Sequence, residues 1–479
     1  MLYNSFAFLL FFPTITCLYY LIPQTWKRWY LLIVSYLFYM NWNPVYALLL
    51  AFVTLTTYVG AKQIASKKEG EQWEGEALLA TTLTLSFAGL FIFKYLNFIN
   101  ESVWILLTSM GCRMEMPHWE LLLPVGISFY TFQACGYVID VYRKQIEPEK
   151  DLATYALFVA FFPQIAAGPI GRAKDLLPQF KEKHFLNREN ITKGLRWMLW
   201  GYFMKVVIAD RLALYTSAIF GNIEHHTGIS VLVAALFFSI QIYCDFAGYS
   251  FIALGCARVM GFRLITNFER PYMATSVQDF WRRWHISLST WFRDYLYIPL
   301  GGSRCSKGRT RLNLMITFLV SGLWHGANWT FVIWGGLNGV FQVIGSWMKP
   351  IKEHTRMTLG LEKDNAWLRI FNVCTTFLLM TVAWTFFKAR TLNDALTAIS
   401  KMTTPTGTLY KPDTSILIYS CLGIGILMTC DILQERNNGR HPLLESRCTP
   451  VRFLSYIVLA TMILTIGVFD GGQFIYFQF

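Results

Sequence analysis

Long apolar runs recur along this chain from end to end. Fourteen of them run from Ser5–Ile22 to Val451–Phe469, parted by polar breaks. A hydrocarbon core about 30 Å thick takes about 20 apolar residues of helix, and it admits only backbone whose N–H and C=O groups are satisfied within the protein. The pattern therefore predicts an all-α polytopic membrane protein. Most runs are long enough to cross, and the several shorter ones are expected to be re-entrant or buried in the bundle. About eleven transmembrane helices plus short re-entrant or amphipathic helices is the expected count. The first run follows no basic segment, so it reads as a first span rather than a removable signal peptide.

The charge balance fits the same reading. The formal net charge is +13, yet the bases sit in short loops between apolar runs. Positive cytoplasmic loops and anionic lipid headgroups account for them better than a nucleic-acid partner does. From Arg258 to Arg311 ten Lys and Arg stand against three acids, a net of +7, so this region is expected to border the cytoplasm. The ten cysteines are scattered without a C-x-x-C pair and read as small core residues, not as disulfides or metal ligands. No repeat appears at a fixed period, and no polar segment is long enough for a separate soluble domain. A single membrane-embedded domain over residues 1–479 is expected.

One stretch breaks the apolar pattern. From Asp279 to Arg304 the chain reads DFWRRWHISLSTWFRDYLYIPLGGSR, with four arginines, three tryptophans and one histidine in a short amphipathic element. On a continuous helix Trp281, His285, Leu288 and Phe292 share a stripe, while Arg282, Arg283, Thr290 and Arg293 point elsewhere. His285 would then face packed protein or lipid, where a bare polar ring is unfavourable unless partnered. Pro299, Gly301 and Gly302 are expected to stop the helix and turn the chain.

A second histidine, His325, follows in SGLWHGANW, with Trp324 before it, Asn328 after it, and Gly322 and Gly326 within one helical turn. The glycines let another backbone, or a slim acyl chain, come close to the ring. A neutral imidazole, with an unperturbed pKa of about 6.5, could take a proton from a hydroxyl nucleophile. A histidine hydrogen-bonded between helices is the competing reading. Two histidines are too few for a zinc site, so no metal is expected. Arg282, Arg283, Arg293 and Arg304 suit the phosphates of a thioester donor such as acetyl-CoA or a phosphopantetheine arm, which guanidinium forks bind in pairs. Headgroup anchoring would account for any one of them. Asp245, an acid inside QIYCDFAGYS, reads as a structural partner for one of these arginines, with a proton relay as the alternative. The closing GVFDGGQFIYFQF reads either as an interfacial aromatic belt or as a tail re-entering the site with Tyr476 as a nucleophile.

Five stretches carry a resemblance: PVGISFYTFQ (Pro124–Gln133), YCDFAGYS (Tyr243–Ser250), FWRRWHISLSTWFRDYLYIPLGG (Phe280–Gly302), LWHGANW (Leu323–Trp329) and the final FIYFQF. In content and order they resemble the membrane-bound O-acyltransferases (MBOAT), of the alginate O-acetyltransferase type, over nearly the whole chain. The resemblance implies a ring of membrane helices around a thinned centre. His325 would be the catalytic histidine at the bottom of an outward-facing funnel, and His285 the family's second histidine. An acetyl group would pass from a cytoplasmic thioester, with no tightly bound cofactor, through that centre. A periplasmic or extracellular acetyltransferase partner would then place it on a polysaccharide such as alginate or peptidoglycan. The implied location is the bacterial inner membrane.

Arg282, Arg283 or Arg304 would steer the donor's phosphates, with Asp245, Trp324, Gly322, Gly326 and Asn328 around the site. In related D-alanyl transfer systems a tyrosine near the C-terminus of a small partner is thought to accept the acyl group, and Tyr476 lies in a similar-looking FIYF context. Rival readings are a transporter, for which no inverted repeat is visible, and a non-catalytic export scaffold. D-alanyl or other acyl transfer by the same fold is the alternative within the enzyme class.

Overall fold

A computed structural model describes the chain except for residues 69, 113–115, 117–118, 120–122, 166–167, 359, 361–364, 438, 470–474 and 476–479. Among the described residues every regular element is helical. Seven helices among the described residues are long and apolar enough to cross a membrane: Tyr46–Ala65, Gln72–Ser109, Gly228–Val259, Trp329–Thr358, Ala366–Lys388, Thr414–Arg436 and Thr449–Ile466. Phe6–Leu21 and Leu152–Ile165 are apolar but shorter. The all-α polytopic architecture is as expected, with seven helices meeting both criteria where about eleven spans were anticipated. Lys307–His325 falls short because Lys307, Arg309 and Arg311 charge its first turns. Thr449–Ile466 turns Phe453, Leu454, Ile457 and Leu464 outward, each more than half exposed, a face suited to lipid.

Two run boundaries differ from the sequence reading. Ile229–Tyr243 and Phe246–Met260 form one helix, Gly228–Val259, with Asp245 in its interior. Leu312–Val332 and Ile333–Trp347 divide instead at residues 326–328, between Lys307–His325 and Trp329–Thr358. Gly326 is extended there, and Asn328 Oδ1 accepts the Thr330 N–H at 3.0 Å. A small residue ends one helix and an amide caps the next.

The chain clusters into two compact units. The first, Met1–Leu195 with Ala253–Ile265, has Ile127–Tyr142 as its almost wholly buried helix. The Tyr137 and Tyr155 rings lie 4.5 Å apart there, and the Tyr155 hydroxyl donates to Thr57 Oγ1 at 2.7 Å. Gln133, at the end of PVGISFYTFQ, accepts from Gln164 Nε2 at 2.6 Å, so its buried amide is satisfied from another helix.

The second unit, Arg196–Ile252 with Thr266–Phe479, contains both histidines. Its polar core is a charge cluster. Lys205, in the π-helical turn Phe203–Ala209, is 1 % exposed and bridges Asp210 at 2.7 Å and Asp245 at 2.6 Å. Asp245 therefore pairs with a lysine from a neighbouring apolar run, not with an arginine of the Arg282–Arg304 group. Its second oxygen accepts the Ile475 N–H at 2.8 Å. Val468 N–H donates to Val206 O at 2.9 Å, so the segment after the last span is tied to the same π-helical turn.

Candidate active site

Both histidines sit where a helix is interrupted. Val277–Arg283 and Ile286–Phe292 are separate short helices, the first capped by Ser276 Oγ, which accepts the Asp279 N–H at 3.1 Å. Between them Trp284 is extended and His285 is left-handed at φ 43° and ψ 54°. This corrects the expected continuous helix and its Trp281–His285–Leu288–Phe292 stripe. The cause lies in the preceding segment: Glu269 N–H donates to Arg283 O at 2.9 Å, and Ile286 N–H to Asn267 O at 3.0 Å. These bonds satisfy backbone groups that a continuing helix would have used. A π-helical turn, Arg293–Tyr297, follows, and the chain turns at Gly301 (φ 110°) and Gly302 (φ 54°), as the sequence suggests.

His285 is fully buried. The Phe246 ring stands perpendicular to it at 4.6 Å, and its Nδ1 lies 3.2 Å from Asn267 Oδ1. His325 is the last residue of Lys307–His325 and is 3 % exposed. Trp324 and Trp334 each stand nearly perpendicular to its ring at 4.9 Å, with Phe387 at 5.6 Å. The two imidazoles are 6.5 Å apart, centroid to centroid. Residues 40 apart in sequence are thus packed into one aromatic cluster.

The glycines near His325 admit protein. A Cβ on Gly322 would run into the Phe331 carbonyl, and one on Gly335 into the Phe318 carbonyl, so Lys307–His325 and Trp329–Thr358 cross backbone to backbone. A Cβ on Gly326 would strike the Phe331 ring. Asn328, besides capping, donates from Nδ2 to Arg390 O at 3.1 Å, which makes it a brace for the turn after His325.

A cleft of about 460 Å³ lies beside this cluster. Arg282, Arg293, Trp281, Thr317 and Ser321 are among its lining residues, and Ser321 is one helical turn before His325. Trp281 forms part of the wall between: its Nε1 donates to Asn338 Oδ1 at 3.2 Å, and its ring lies 5.8 Å from Trp334. The expected arginine group therefore divides. Arg283 gives Nη1 to Glu435 at 3.0 Å and Nε to Asp279 at 3.2 Å. Arg304 is exposed and does not line the cleft. Tyr476 lies outside the described residues. The sequence reading missed Asn267, Lys205, Trp334 and Phe387. Only Lys205 left a signal, as a cation in the middle of the apolar run Leu195–Phe220.

The profile of the membrane-bound O-acyltransferase family matches residues 146–383, which include both histidines. A protein of Pseudomonas putida named as a probable alginate O-acetylase is 40% identical over 403 residues, covering 82% of this chain and 79% of that protein. The chain belongs to the membrane-bound O-acyltransferase family. It is a multi-pass membrane O-acyltransferase. It is also similar to a peptidoglycan O-acetyltransferase of Helicobacter pylori, at 34% identity over 435 residues, 84% of this chain and 80% of that one. A teichoic acid D-alanyltransferase of Streptococcus thermophilus is 28% identical over 298 residues, 57% of this chain and 70% of that one.

Proposed function

We propose that this enzyme carries an acetyl group from a cytoplasmic thioester across the bacterial inner membrane, for O-acetylation of an extracytoplasmic polysaccharide such as alginate or peptidoglycan. The observation behind the chemistry is the pair of buried imidazoles 6.5 Å apart, one helical turn from a cleft that Arg282 and Arg293 line. His325 is the general base. It takes the proton of the accepting hydroxyl as the oxygen attacks the thioester carbonyl, the C–S bond breaks, and the proton passes to the leaving thiolate. Ester and free thiol result. The carbonyl end of Lys307–His325 favours the transient imidazolium by about 0.3–1 kcal/mol. His285 holds donor or acceptor in line.

Arg282 and Arg293, the latter with Nε on Asp294 at 2.7 Å, hold the donor's phosphates because they line the cleft, which neither Arg283, with its fork on Glu435, nor Arg304 does. Acetyl is preferred over D-alanyl because the relatives at 40% and 34% identity are named for O-acetylation and the one at 28% for D-alanylation. An extracytoplasmic acetyltransferase partner completes transfer to the polymer. Tyr476 is the candidate relay acceptor on this chain.

The test is surface-polysaccharide acetate in cells lacking the protein, complemented with wild type or with His325→Ala at equal membrane abundance. Wild type should restore acetate and His325→Ala should fall short by about 10²- to 10⁴-fold in transfer rate. Equal restoration would reassign the protein to a scaffold role. Unchanged acetate on deletion would point to another acyl group, with D-alanine release as the next assay.

A further inference from the structure

The hydrogen bonds around His285 assign its tautomer, and with it the substrate group that it meets. Asn267 is fully buried, and its Oδ1 accepts the Ser287 N–H at 3.2 Å and the Ser287 hydroxyl at 2.9 Å. A backbone N–H only donates, so the amide atom it faces is the oxygen and not the NH2. The same oxygen lies 3.2 Å from His285 Nδ1. A carbonyl oxygen only accepts, so Nδ1 carries a hydrogen, and in the neutral ring the lone pair is left on Nε2.

The backbone reinforces this assignment. Residues 267–269 run beside 283–286 through the Ile286 N–H to Asn267 O and Glu269 N–H to Arg283 O bonds, at 3.0 and 2.9 Å. His285 is held at φ 43°, a conformation few side-chain-bearing residues adopt. Glu435 accepts from Arg270 Nε at 2.8 Å and from Arg283 Nη1 at 3.0 Å, clamping both sides of that pairing. Phe246, perpendicular at 4.6 Å, restricts rotation of the ring.

We infer that Asn267 is a positioning residue that fixes His285 as the Nδ1–H tautomer, so that Nε2 accepts a hydrogen bond from the acyl-accepting hydroxyl. A nitrogen without hydrogen cannot donate to the thioester carbonyl, so of the two groups the accepting hydroxyl is the one Nε2 can bind. The catalytic consequence rests on the proposed acyl-transfer role of the histidine pair. The tautomer rests on geometry alone.

The experiment separates the two. Full-length protein in lipid nanodiscs, with ¹⁵N-labelled histidine rings, is observed by solid-state NMR, and His285→Gln assigns the His285 signals by their loss. Wild type should show a protonated Nδ1 and a bare Nε2. Asn267→Asp, which keeps an acceptor oxygen, should retain that state, and Asn267→Leu, which removes it, should populate the Nε2–H form. Surface acetate formed by Asn267→Leu should fall at least about tenfold, with Asn267→Asp recovering part of the loss. A wild-type His285 protonated on Nε2 would overturn the inference, and that spectrum needs no variant at position 267 to fold. If the tautomer is as inferred and shifts in Asn267→Leu while acetate is unchanged, the role of Asn267 toward His285 stands and the catalytic reading of His285 falls.

Discussion

At the scale of single residues, the two histidines were visible in the sequence and their surroundings were not. His285 and His325 stand out because a polar ring within apolar sequence needs a reason. Their aromatic walls do not stand out, since Trp334 and Phe387 look like any other core residue until they are seen around the His325 ring. The arginines illustrate the same limit. Arg282 and Arg283 are adjacent, yet one lines the cleft and the other is held by Glu435, 152 residues away. This division predicts different kinetics. Arg293→Ala should raise KM for the thioester donor about tenfold with kcat little changed, as expected for loss of uniform binding. Arg304→Ala should leave KM unchanged. Steady-state kinetics of reconstituted protein decide it, and equal effects at both positions would remove the cleft as the donor site.

At the scale of elements, the sequence located apolar segments well and their ends less well. Composition cannot tell whether a charge such as Asp245 interrupts a helix or is neutralised inside it, because the answer depends on Lys205 arriving from another helix. Likewise, the break at His285 is imposed by the 267–269 segment, while Gly326 and Asn328 carry their own local signal for the break after His325. The crossing of Lys307–His325 with Trp329–Thr358 is the element on which the His325 position depends. Gly322→Ala gains helix propensity of about 1 kcal/mol but forces a methyl onto the Phe331 carbonyl, backbone that cannot rotate away. A net destabilisation of about 1–3 kcal/mol is expected, read as a lower Tm in detergent together with lost transfer. Gly345→Ala, on the partner helix Trp329–Thr358 and facing open space, is the control and should be neutral or slightly stabilising.

At the scale of the whole molecule, the excess of positive charge between Arg258 and Arg311 gives a testable orientation. In a variant with its native cysteines replaced by serine, Lys307→Cys should resist a membrane-impermeant maleimide in intact cells and react in inverted vesicles. Labelling in intact cells would reverse the orientation and place the Arg282–Arg293 cleft on the wrong side for a cytoplasmic donor. Read alone, the amino-acid sequence establishes that the chain is an all-α membrane protein, that it carries two chemically notable histidines, and which family its motifs resemble. Those properties follow from apolar run length and short contiguous motifs, which are local. The tertiary structure decided that the histidines pack together, that Asp245 meets Lys205, that Arg283 is engaged elsewhere, and that Asn267 reaches His285. Each of these is a contact between distant segments, set by which side chains the packing brings within a few ångströms, and no local pattern encodes it.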